Sequence, residues 1–496
     1  MHSVTLRRRA PSQVGSVHTI DLPTPSTPLP TNAPATSLYQ RCLQLMDRLA
    51  LVPGFAPFLE PKPRVNDSAI GEEATPDQAF PDSSPGQTAP ESYLDPVQYL
   101  WGIFRDGYSL ITIYNALRPE TPIVCDLKPS MTEQKKEKVK IFNFIKAIKE
   151  LDLMGDSQML IVSDIFRDDT NAFIKILNIV TALLDRLEKE GRLLPAGPNV
   201  VRPSLRFSDD SDRKPENNRE KVVAEILDTE RKYVNDLITL QRYMQEIQSQ
   251  HILPEETTRL MFANLSALLD FQQRFLIGIE GNARKAASEQ QFGALFVKME
   301  SGFSVYEPYI ANHKRASEIA QREAGTLAKL SNILDPTFQL QSLLIKPVQR
   351  ICKYELLYRE LIRFSDSDAP NYNDIQEGYE AAKRIANRTN ETIRREENYH
   401  ALKDLELRVL DWNKMDLAKF GELHLFDRFT MTTSDIVNEL QFYLFDDSLI
   451  CCKDVEPGKE NRKSQKHQSQ GSVGAGPESA EAAARRKKGT LLIKGR

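Results

Sequence analysis

Apolar side chains recur at intervals of three and four residues over most of the chain, as they do on one face of an α-helix. The longest run begins at Val222 and continues to Ile247, about seven helical turns. A second long run extends from Ile375 to Ile393. No segment between these two runs alternates with the period of two that a strand requires. The pattern therefore predicts an elongated helical bundle.

Shorter helical runs precede this bundle. Tyr39 to Phe58 has helical spacing, which resumes at Val97 and returns as far as Leu184. We therefore expect an all-α domain at 38–190. A Pro-, Asp- and Ser-rich insertion at 60–90 interrupts it and is expected to be disordered, and residues 191–218, with four prolines, are expected to form a flexible linker.

The spacing of apolar residues changes after Leu402, from a helical period to one typical of strands. The segments "FGELHLFDRFTM", "LQFYLFDDSLICCKD" and "GTLLIKGR" alternate or run apolar over strand length, with Asp446-Asp447 as the expected turn. Three or four strands are too few to close a sheet, so we expect an incomplete β-rich domain at 401–496 with a disordered insert at 456–488. Residues 1–37, rich in Pro, Ser and Thr, are expected to be a disordered tail.

Composition narrows the classes of function. The chain has 496 residues, 40% of them hydrophobic and 27% charged, with a net charge of −4, so no global basic field indicates nucleic acid. Its five cysteines are scattered and odd in number, which argues against a disulfide framework. The N-terminus lacks the apolar run of a signal peptide. We expect a cytoplasmic protein with no nucleic-acid partner.

The sequence contains no phosphate-binding glycine loop, no nucleophile elbow, no HExxH motif and no EF-hand loop. Its histidines and cysteines are not spaced as metal ligands. We therefore expect no cofactor, no metal and no covalent chemistry. The expected activity is binding, or catalysis through binding, in which a partner's conformational equilibrium is shifted.

One helical stretch, "LLIKPVQRICKYELLYREL", has an unusual composition. Lys346, Gln349 and Lys353 lie three and four residues apart and define a polar side. The opposite side is apolar and includes Leu357, which we expect to be buried. Pro347 removes a backbone donor and is expected to bend the helix. Periodicity alone is equally consistent with a solvated charged face and a tolerated kink.

Three motifs resemble the Dbl-homology domain of Rho guanine nucleotide exchange factors. "REKVVAEILDTERKYVNDL" resembles its first signature region, "YEPYIANHKRA" its middle region and "SLLIKPVQRICKYELL" its third, in the same order. Together they place such a domain at 219–400. Three motifs in register are a stronger signal than any one of them.

The flanking segments extend the resemblance. "LYQRCLQLMDRLALVPGFAPFL" and "DPVQYLWGIFRDGYSLITIYNALRP" resemble the calponin-homology domain of fungal polarity-establishing exchange factors, and the segment after Leu402 resembles a pleckstrin-homology domain. The implied fold is mainly α: a calponin-like domain, a Dbl-homology bundle and a partial pleckstrin-homology domain. Family members usually continue into a complete pleckstrin-homology domain and a scaffold-binding module, so the end at Arg496 is expected to be a truncation of biological or artificial origin.

The resemblance assigns roles to residues of the first and third regions. Glu225 matches the glutamate that engages switch I of the GTPase, and Gln349 and Lys353 match residues that face the GTPase. Lys346 and Arg350 would support this surface. Glu230 is the competing acidic residue of the first region, and we interpret it as structural.

The resemblance also assigns a role to a residue of the last long helix. Asn390 matches the asparagine that contacts switch II, and Arg394 would support it. Asn387 lies one turn earlier on the same polar face and is the rival candidate. Glu355 departs from the family pattern, in which many members have proline, but glutamate is the better helix former.

The implied function is activation of a Rho-family small GTPase, most naturally the cell-polarity member, by displacing Mg²⁺ and GDP and stabilising the nucleotide-free state. Further expected partners are scaffold or adaptor proteins, and the expected location is the cytoplasm with recruitment to the cortex at sites of polarised growth. The alternative is a structural scaffold whose calponin-like domain binds actin filaments.

A basic cluster lies near the C-terminus. Arg485, Arg486, Lys487 and Lys488 could contact anionic lipid weakly, in a salt-sensitive way that is indifferent to the headgroup. The alternative is a solvated charge run within a disordered insert.

Overall fold

The structure is a computed structural model that describes residues 4–8, 36–60, 95–151, 160–167, 169–195, 215–409, 412, 416–433, 436–455 and 490–495. It divides into two compact units. The larger comprises residues 31–386, and the smaller comprises residues 387–496 with residues 1–30.

The larger unit begins with a helical domain. Its helices are α1 (Leu38–Leu49), α2 (Pro96–Arg105), α3 (Tyr108–Leu117), α4 (Glu133–Glu150), α5 (Val162–Phe166) and α6 (Thr170–Lys189). Asp95 caps α2 by accepting from the Val97 N–H at 2.9 Å, and proline occupies the first helical position. Gly107, at φ 81°, permits the tight turn into α3. One apolar core joins these helices.

An elongated bundle follows. Its helices are α7 (Asn218–Ser249), α8 (Glu255–Met261), α9 (Leu265–Ala283), α10 (Phe292–Met299), α11 (Tyr306–Arg322), α12 (Ala324–Leu327), α13 (Gln339–Arg363) and α14 (Tyr372–Arg408), the last of which continues into the smaller unit. The core of the bundle is an aromatic cluster in which Phe296 packs edge-on against Tyr354 and Tyr358, with ring centroids 5.2 and 4.8 Å apart. The predicted helical bundle is confirmed.

Helices α10 and α14 approach closely through glycines. A methyl group on Gly378 would lie 2.6 Å from the Cα of Gly293 and 2.5 Å from the Tyr358 ring, closer than real Cβ atoms come. Asp374 completes this junction by accepting from the backbone N–H groups of Gly293 and Ala294 at 2.8 and 2.7 Å. The first turn of α14 therefore caps the start of α10.

The N-terminal helical domain packs on α7 and α9 through a buried carboxylate. Glu280 on α9 is 1% exposed and accepts from Ser37 Oγ at 2.7 Å and Arg231 Nε at 2.8 Å. Its other oxygen has no hydrogen-bond partner among the described residues. Thr170, at the start of α6, donates its N–H to Asp270 at 2.8 Å. Burial raises the pKa of Glu280, and the charge of Arg231 only partly offsets this.

The smaller unit contains an antiparallel sheet. Its strands are β1 (Val4–Arg8), β2 (Leu423–Thr433), β3 (Ile436–Phe445), β4 (Leu449–Val455) and β5 (Thr490–Gly495), in that spatial order. The predicted turn at Asp446-Asp447 is confirmed, since it joins β3 to β4. Asn398 of α14 donates to the Leu423 carbonyl at 2.5 Å, which ties the helix to the start of β2.

Two described parts of the tail expected at 1–37 are structured: Ser37 is the N-cap of α1, and Val4–Arg8 forms a strand on β2 with Val4 opposite Thr433. This short alternating segment gains its backbone partners only from a strand more than 400 residues away, which local composition does not indicate. The insertions expected at 60–90 and 456–488 lie almost wholly outside the described residues, as does most of the 191–218 linker. None of the described helices is long and apolar enough to span a bilayer.

We predict that Gly378→Ala lowers the free energy of unfolding by about 1–3 kcal/mol, because the added methyl group overpacks the contact with α10. Gly281→Ala is the matched control: it is also helical, but no atom lies within 4 Å of the added methyl group. The control should be neutral or stabilising, since alanine is the better helix former. Equal destabilisation of both variants in denaturant titrations would contradict the close approach.

A second prediction concerns Glu280. Its folded pKa lies above the unfolded value, so the folded state binds its proton more tightly and its contribution to stability falls as pH rises above 4.5. Glu280→Gln does not titrate. The stability of this variant relative to wild type should therefore increase between about pH 4 and pH 7. Thermal unfolding of both proteins across this range is the measurement, and a constant difference would contradict the raised pKa.

Candidate functional site

A buried ion pair joins α7 to α13. Arg350 Nη2 donates to Glu230 Oε2 at 2.5 Å and Arg350 Nε donates to the same oxygen at 3.1 Å. Glu230 is 0% exposed and Arg350 is 4% exposed. Arg350 Nη1 also donates to Thr229 Oγ1 at 3.0 Å. Such a pair is stable only when its remaining donors and acceptors are satisfied.

Neighbouring side chains supply the remaining hydrogen bonds of the Glu230–Arg350 ion pair. Gln272 of α9 donates to Glu230 and to the Tyr354 hydroxyl, the latter at 2.9 Å. Tyr354 in turn donates to Glu230 at 3.2 Å, and Tyr306 donates to Gln272 Oε1 at 2.6 Å. The Tyr306 hydroxyl lies 3.0 Å from that of Tyr233. We call this set, together with Arg350, the central polar network; it connects α7, α9, α11 and α13.

The network keeps Arg350 charged and its tyrosines neutral at neutral pH. Burial by itself lowers the pKa of Arg350, but the charge and hydrogen bonds of Glu230 reverse this and raise the pKa above its usual value. Burial raises the pKa of the Tyr233, Tyr306 and Tyr354 hydroxyls, so they remain neutral donors. Arg350 is thus a permanent cation with one carboxylate partner.

Three cross-contacts show that α7 and α13 run antiparallel. Arg219 near the start of α7 donates to Ser365, just beyond the end of α13, at 3.3 Å. Glu230 pairs with Arg350, and Asp236 pairs with Lys346. We call the line along which these side chains meet the α7/α13 seam.

The predicted residues Glu225, Gln349 and Lys353 are all exposed. Glu225 lies one turn before Thr229, whose hydroxyl donates to the Glu225 carbonyl at 2.7 Å, so both lie on the side of α7 that faces the seam. Lys353 lies two turns after Lys346 and therefore also points along the seam.

Helical rise gives their separation. Glu225 is five residues from Glu230, and Lys353 is three residues beyond Arg350 in the same antiparallel direction. At about 1.5 Å per residue, both lie on one side of the ion pair and within about 3 Å of one another along the helix axis. Gln349 follows within about 6 Å of Lys353 on the same measure. The three exposed side chains therefore lie at similar levels along the seam, beside the buried network, and we call them the exposed polar strip.

Two of the residues expected to support this surface, Lys346 and Arg350, form ion pairs with carboxylates of α7. Arg350 is 4% exposed and paired with Glu230, so any support that it gives this surface comes from beneath it. Lys346 is half-buried and paired with Asp236. The spacing of apolar residues along α13 predicts that both charged side chains are exposed. They turn inward because each has a carboxylate partner on α7, Asp236 for Lys346 and Glu230 for Arg350.

The expectation for Leu357 also needs correction, because it is half-buried and the neighbouring Tyr358 is fully buried. The Tyr358 hydroxyl donates to the Phe292 carbonyl at 2.7 Å, which lets a polar aromatic residue occupy the core. Helix α13 continues through Pro347, which is buried. The turn before it is held by the Tyr309 hydroxyl, which donates to the Leu344 carbonyl at 3.0 Å.

Asn390 and Asn387 lie on the part of α14 that belongs to the smaller unit, and both are exposed. Their exposure does not separate the two candidates. Arg394 is held within its own unit by Glu391, at 2.8 Å, and by Glu422, at 3.2 Å. Hydrogen bonds from Arg394 lower the pKa of Glu391 to about 2. The cluster from Arg485 to Lys488 lies outside the described residues.

One residue of this surface was not predicted from the sequence. Leu356 is 52% exposed and lies three residues after Lys353 on α13. Its spacing of seven from Gln349 places it on the polar side of the helix, and this spacing is the signal that could have identified it. A solvent-facing leucine beside polar contacts is typical of a protein-binding surface.

The N-terminal helical domain leaves this strip uncovered. Arg231, Val234 and Ile238 of α7 line a small cavity against that domain, together with Leu38 and Ile174. On a helical wheel these three α7 positions lie well over 80° from Glu225. The domain therefore packs on a face of α7 that differs from the one that carries Glu225.

Comparison with known families divides the chain in three. Residues 95–184 match CDC24 Calponin, residues 222–390 match the RhoGEF domain, and residues 418–496 match a Pleckstrin homology domain. These matches confirm the domains that the motifs predicted.

Two fungal relatives are similar over most of the chain. Rho guanine nucleotide exchange factor scd1 of Schizosaccharomyces pombe is 32% identical over 86% of this chain and 48% of its own length. Cell division control protein 24 of Saccharomyces cerevisiae is 32% identical over 73% of this chain and 43% of its own length. The chain thus spans about half the length of these curated relatives.

We predict that Arg350→Met lowers the free energy of unfolding by about 3–5 kcal/mol, because it leaves the Glu230 carboxylate buried without a countercharge. Adding Glu230→Gln should recover part of this loss, since the neutral amide can still bond Gln272 and Tyr354. Denaturant unfolding of the single and double variants measures both effects. If the double variant is less stable than Arg350→Met alone, the pair does not govern this junction.

Proposed function

We propose that this chain, which carries the calponin, RhoGEF and pleckstrin-homology domains of a fungal polarity-type Dbl-family exchange factor, activates a Rho-family small GTPase by promoting release of its GDP. The observation that carries the proposal is the exposed strip of Glu225, Gln349 and Lys353 within the RhoGEF domain. This strip is fixed by the central polar network, and contacts held on packed helices are well suited to a partner whose switch loops must be repositioned.

Each residue of the strip has a distinct role in this proposal. The Glu225 carboxylate engages switch I, where it offers an acceptor to backbone N–H groups or to a cation. Gln349 and Lys353 face the GTPase beside it, and the exposed Leu356 adds an apolar contact. Asn390 contacts switch II, with Asn387 as the alternative one turn earlier.

The exchange step needs no bond chemistry from this chain. GTPases hold nucleotide through Mg²⁺ and ordered switch loops. A surface that binds the displaced switches more tightly than the ordered ones weakens the contacts to Mg²⁺ and phosphate and stabilises the nucleotide-free state. Nucleotide from solution then refills the site by mass action.

The cellular setting follows from the same proposal. The partner is a Rho-family GTPase of the cell-polarity type, and scaffold or adaptor proteins are further partners. The protein acts at the cell cortex at sites of polarised growth, to which its pleckstrin-homology domain contributes membrane contact. No cofactor enters the reaction.

We predict that Glu225→Ala, Lys353→Ala and Asn390→Ala each lower the rate of GDP release at least about tenfold, or about 1.4 kcal/mol, because each removes a polar contact to the rearranged GTPase. Thermal stability should not change, since all three side chains are exposed. Stopped-flow release of fluorescent GDP from a Rho-type GTPase is the measurement.

Glu255→Ala on α8 and Lys329→Ala beyond α12 are matched controls, because they remove equally exposed charges away from the seam. Both should exchange nucleotide at the wild-type rate. Wild-type rates of GDP release in Glu225→Ala, Lys353→Ala and Asn390→Ala would refute the site assignment. The actin-scaffold alternative is tested on the same preparation by cosedimentation with filaments, and binding there without any GDP release would favour it.

A further inference from the structure

Helix α4 of the calponin domain presents a regular basic face. Its solvent side carries Lys135, Lys138, Phe142, Lys146 and Lys149, separated by three, four, four and three residues. This spacing aligns them along one side of the helix over about 21 Å. All five side chains are exposed. We call this set the α4 lysine stripe.

The salt bridges of the described residues include none of the four lysines of the stripe, although the exposed Glu150 lies four residues after Lys146 on the same helix. Glu133 of the same helix pairs instead with Lys136 at 2.6 Å. Asp164 of α5 is buried and faces Lys175 at 3.4 Å. The stripe is therefore a concentrated cationic surface on a chain whose net charge is −4.

Exposed apolar side chains accompany these lysines. Phe142 is 57% exposed at the centre of the stripe, and Ile161, at the start of α5, is 54% exposed. Lys138 Nζ lies 5.9 Å from the Phe166 ring, and these two residues line a shallow depression with Arg167. A large aromatic residue surrounded by lysines on the solvent side of a helix contributes nothing to the domain core.

We propose that the α4 lysine stripe is a membrane-binding surface that docks the calponin domain on anionic lipid. The lysine ammonium groups contact lipid phosphates and carboxylates, while their alkyl stems lie along the interface. Phe142 enters the boundary between headgroups and acyl chains, as the apolar residues of interfacial helices do. This proposal does not depend on the exchange activity.

A lipid surface fits these features better than an acidic protein does. The lysines form a single line on the exposed side of a helix. Phe142, at the centre of the lysine stripe, is stabilised most by a surface in which an apolar layer lies directly beneath an anionic one. A fluid bilayer offers both layers without demanding a complementary shape.

The test is vesicle flotation of the full chain with phosphatidylcholine vesicles that contain about 30% phosphatidylserine. Each lysine is worth about fivefold in partitioning, so Lys135→Gln/Lys146→Gln should lower binding about 25-fold. Lys189→Gln/Lys329→Gln is the matched control, because it removes the same charge from exposed positions outside the stripe. The control should bind like wild type.

A second measurement separates insertion from simple charge attraction. Phe142→Trp should show blue-shifted emission in the presence of anionic vesicles, relative to the wild-type protein with its own two tryptophans. Phe142→Ser should weaken binding at unchanged charge. A blue shift together with selective loss in Lys135→Gln/Lys146→Gln supports the proposal.

Three outcomes would overturn it. The first is equal binding by Lys135→Gln/Lys146→Gln and its control. The second is loss of binding only when Arg485, Arg486, Lys487 and Lys488 are replaced by glutamine, which would assign the lipid contact to the C-terminal cluster. The third is lysine-dependent binding with no shift in Phe142→Trp emission, which would show attraction of the lysines to the charged surface without the insertion of Phe142 that the proposal requires.

Discussion

The buried contact between Glu230 and Arg350 is the interaction on which the proposed exchange surface depends. Two opposite charges removed from water are costly to keep unless every remaining donor and acceptor is satisfied. Here Gln272, Tyr354 and Thr229 supply those partners from α9, α13 and α7. Slipping α13 by one turn along α7 would leave the pair unmatched. The network therefore fixes the register in which Glu225 and Lys353 become neighbours.

This arrangement separates tasks between the faces of α7. One face carries Glu225, and another carries Arg231, which donates to the Glu280 carboxylate that Ser37 also contacts. The proposed GTPase contact of Glu225 and the packing of the N-terminal domain therefore use different α7 residues. The α4 lysine stripe, proposed to contact lipid, lies on yet another helix. Variants can therefore test each proposed contact separately.

Sequence patterns predicted much of this organisation. Spacing of three and four residues predicted the helices. The motifs around Val222, Tyr306 and Lys346 predicted the RhoGEF domain, and the flanking segments predicted the calponin and pleckstrin-homology domains, all of which the family matches confirm. They did not predict which charges turn inward. Arg350 and Gln349 are adjacent polar residues in the sequence, and only the carboxylate of Glu230, 120 positions away, decides that one is buried and the other exposed.

Other features depended equally on distant partners. Tyr358 is buried because the Phe292 carbonyl accepts its hydroxyl, and Lys346 turns toward Asp236. Glycine at 378 is required by the approach of α10, which no local pattern reveals. Periodicity reports how much apolar surface a segment has to bury, whereas burial of a charge depends on a complementary group from elsewhere in the fold.

The central claim is that the RhoGEF domain of this chain accelerates release of GDP from a Rho-family GTPase. The most direct measurement is the release rate of fluorescent GDP from a panel of Rho-type GTPases, with the chain present at substoichiometric concentration. We expect faster release from at least one member, with turnover over many GTPase molecules and with excess Mg²⁺ slowing the reaction. A folded chain that accelerates release from no member of the panel would contradict the account.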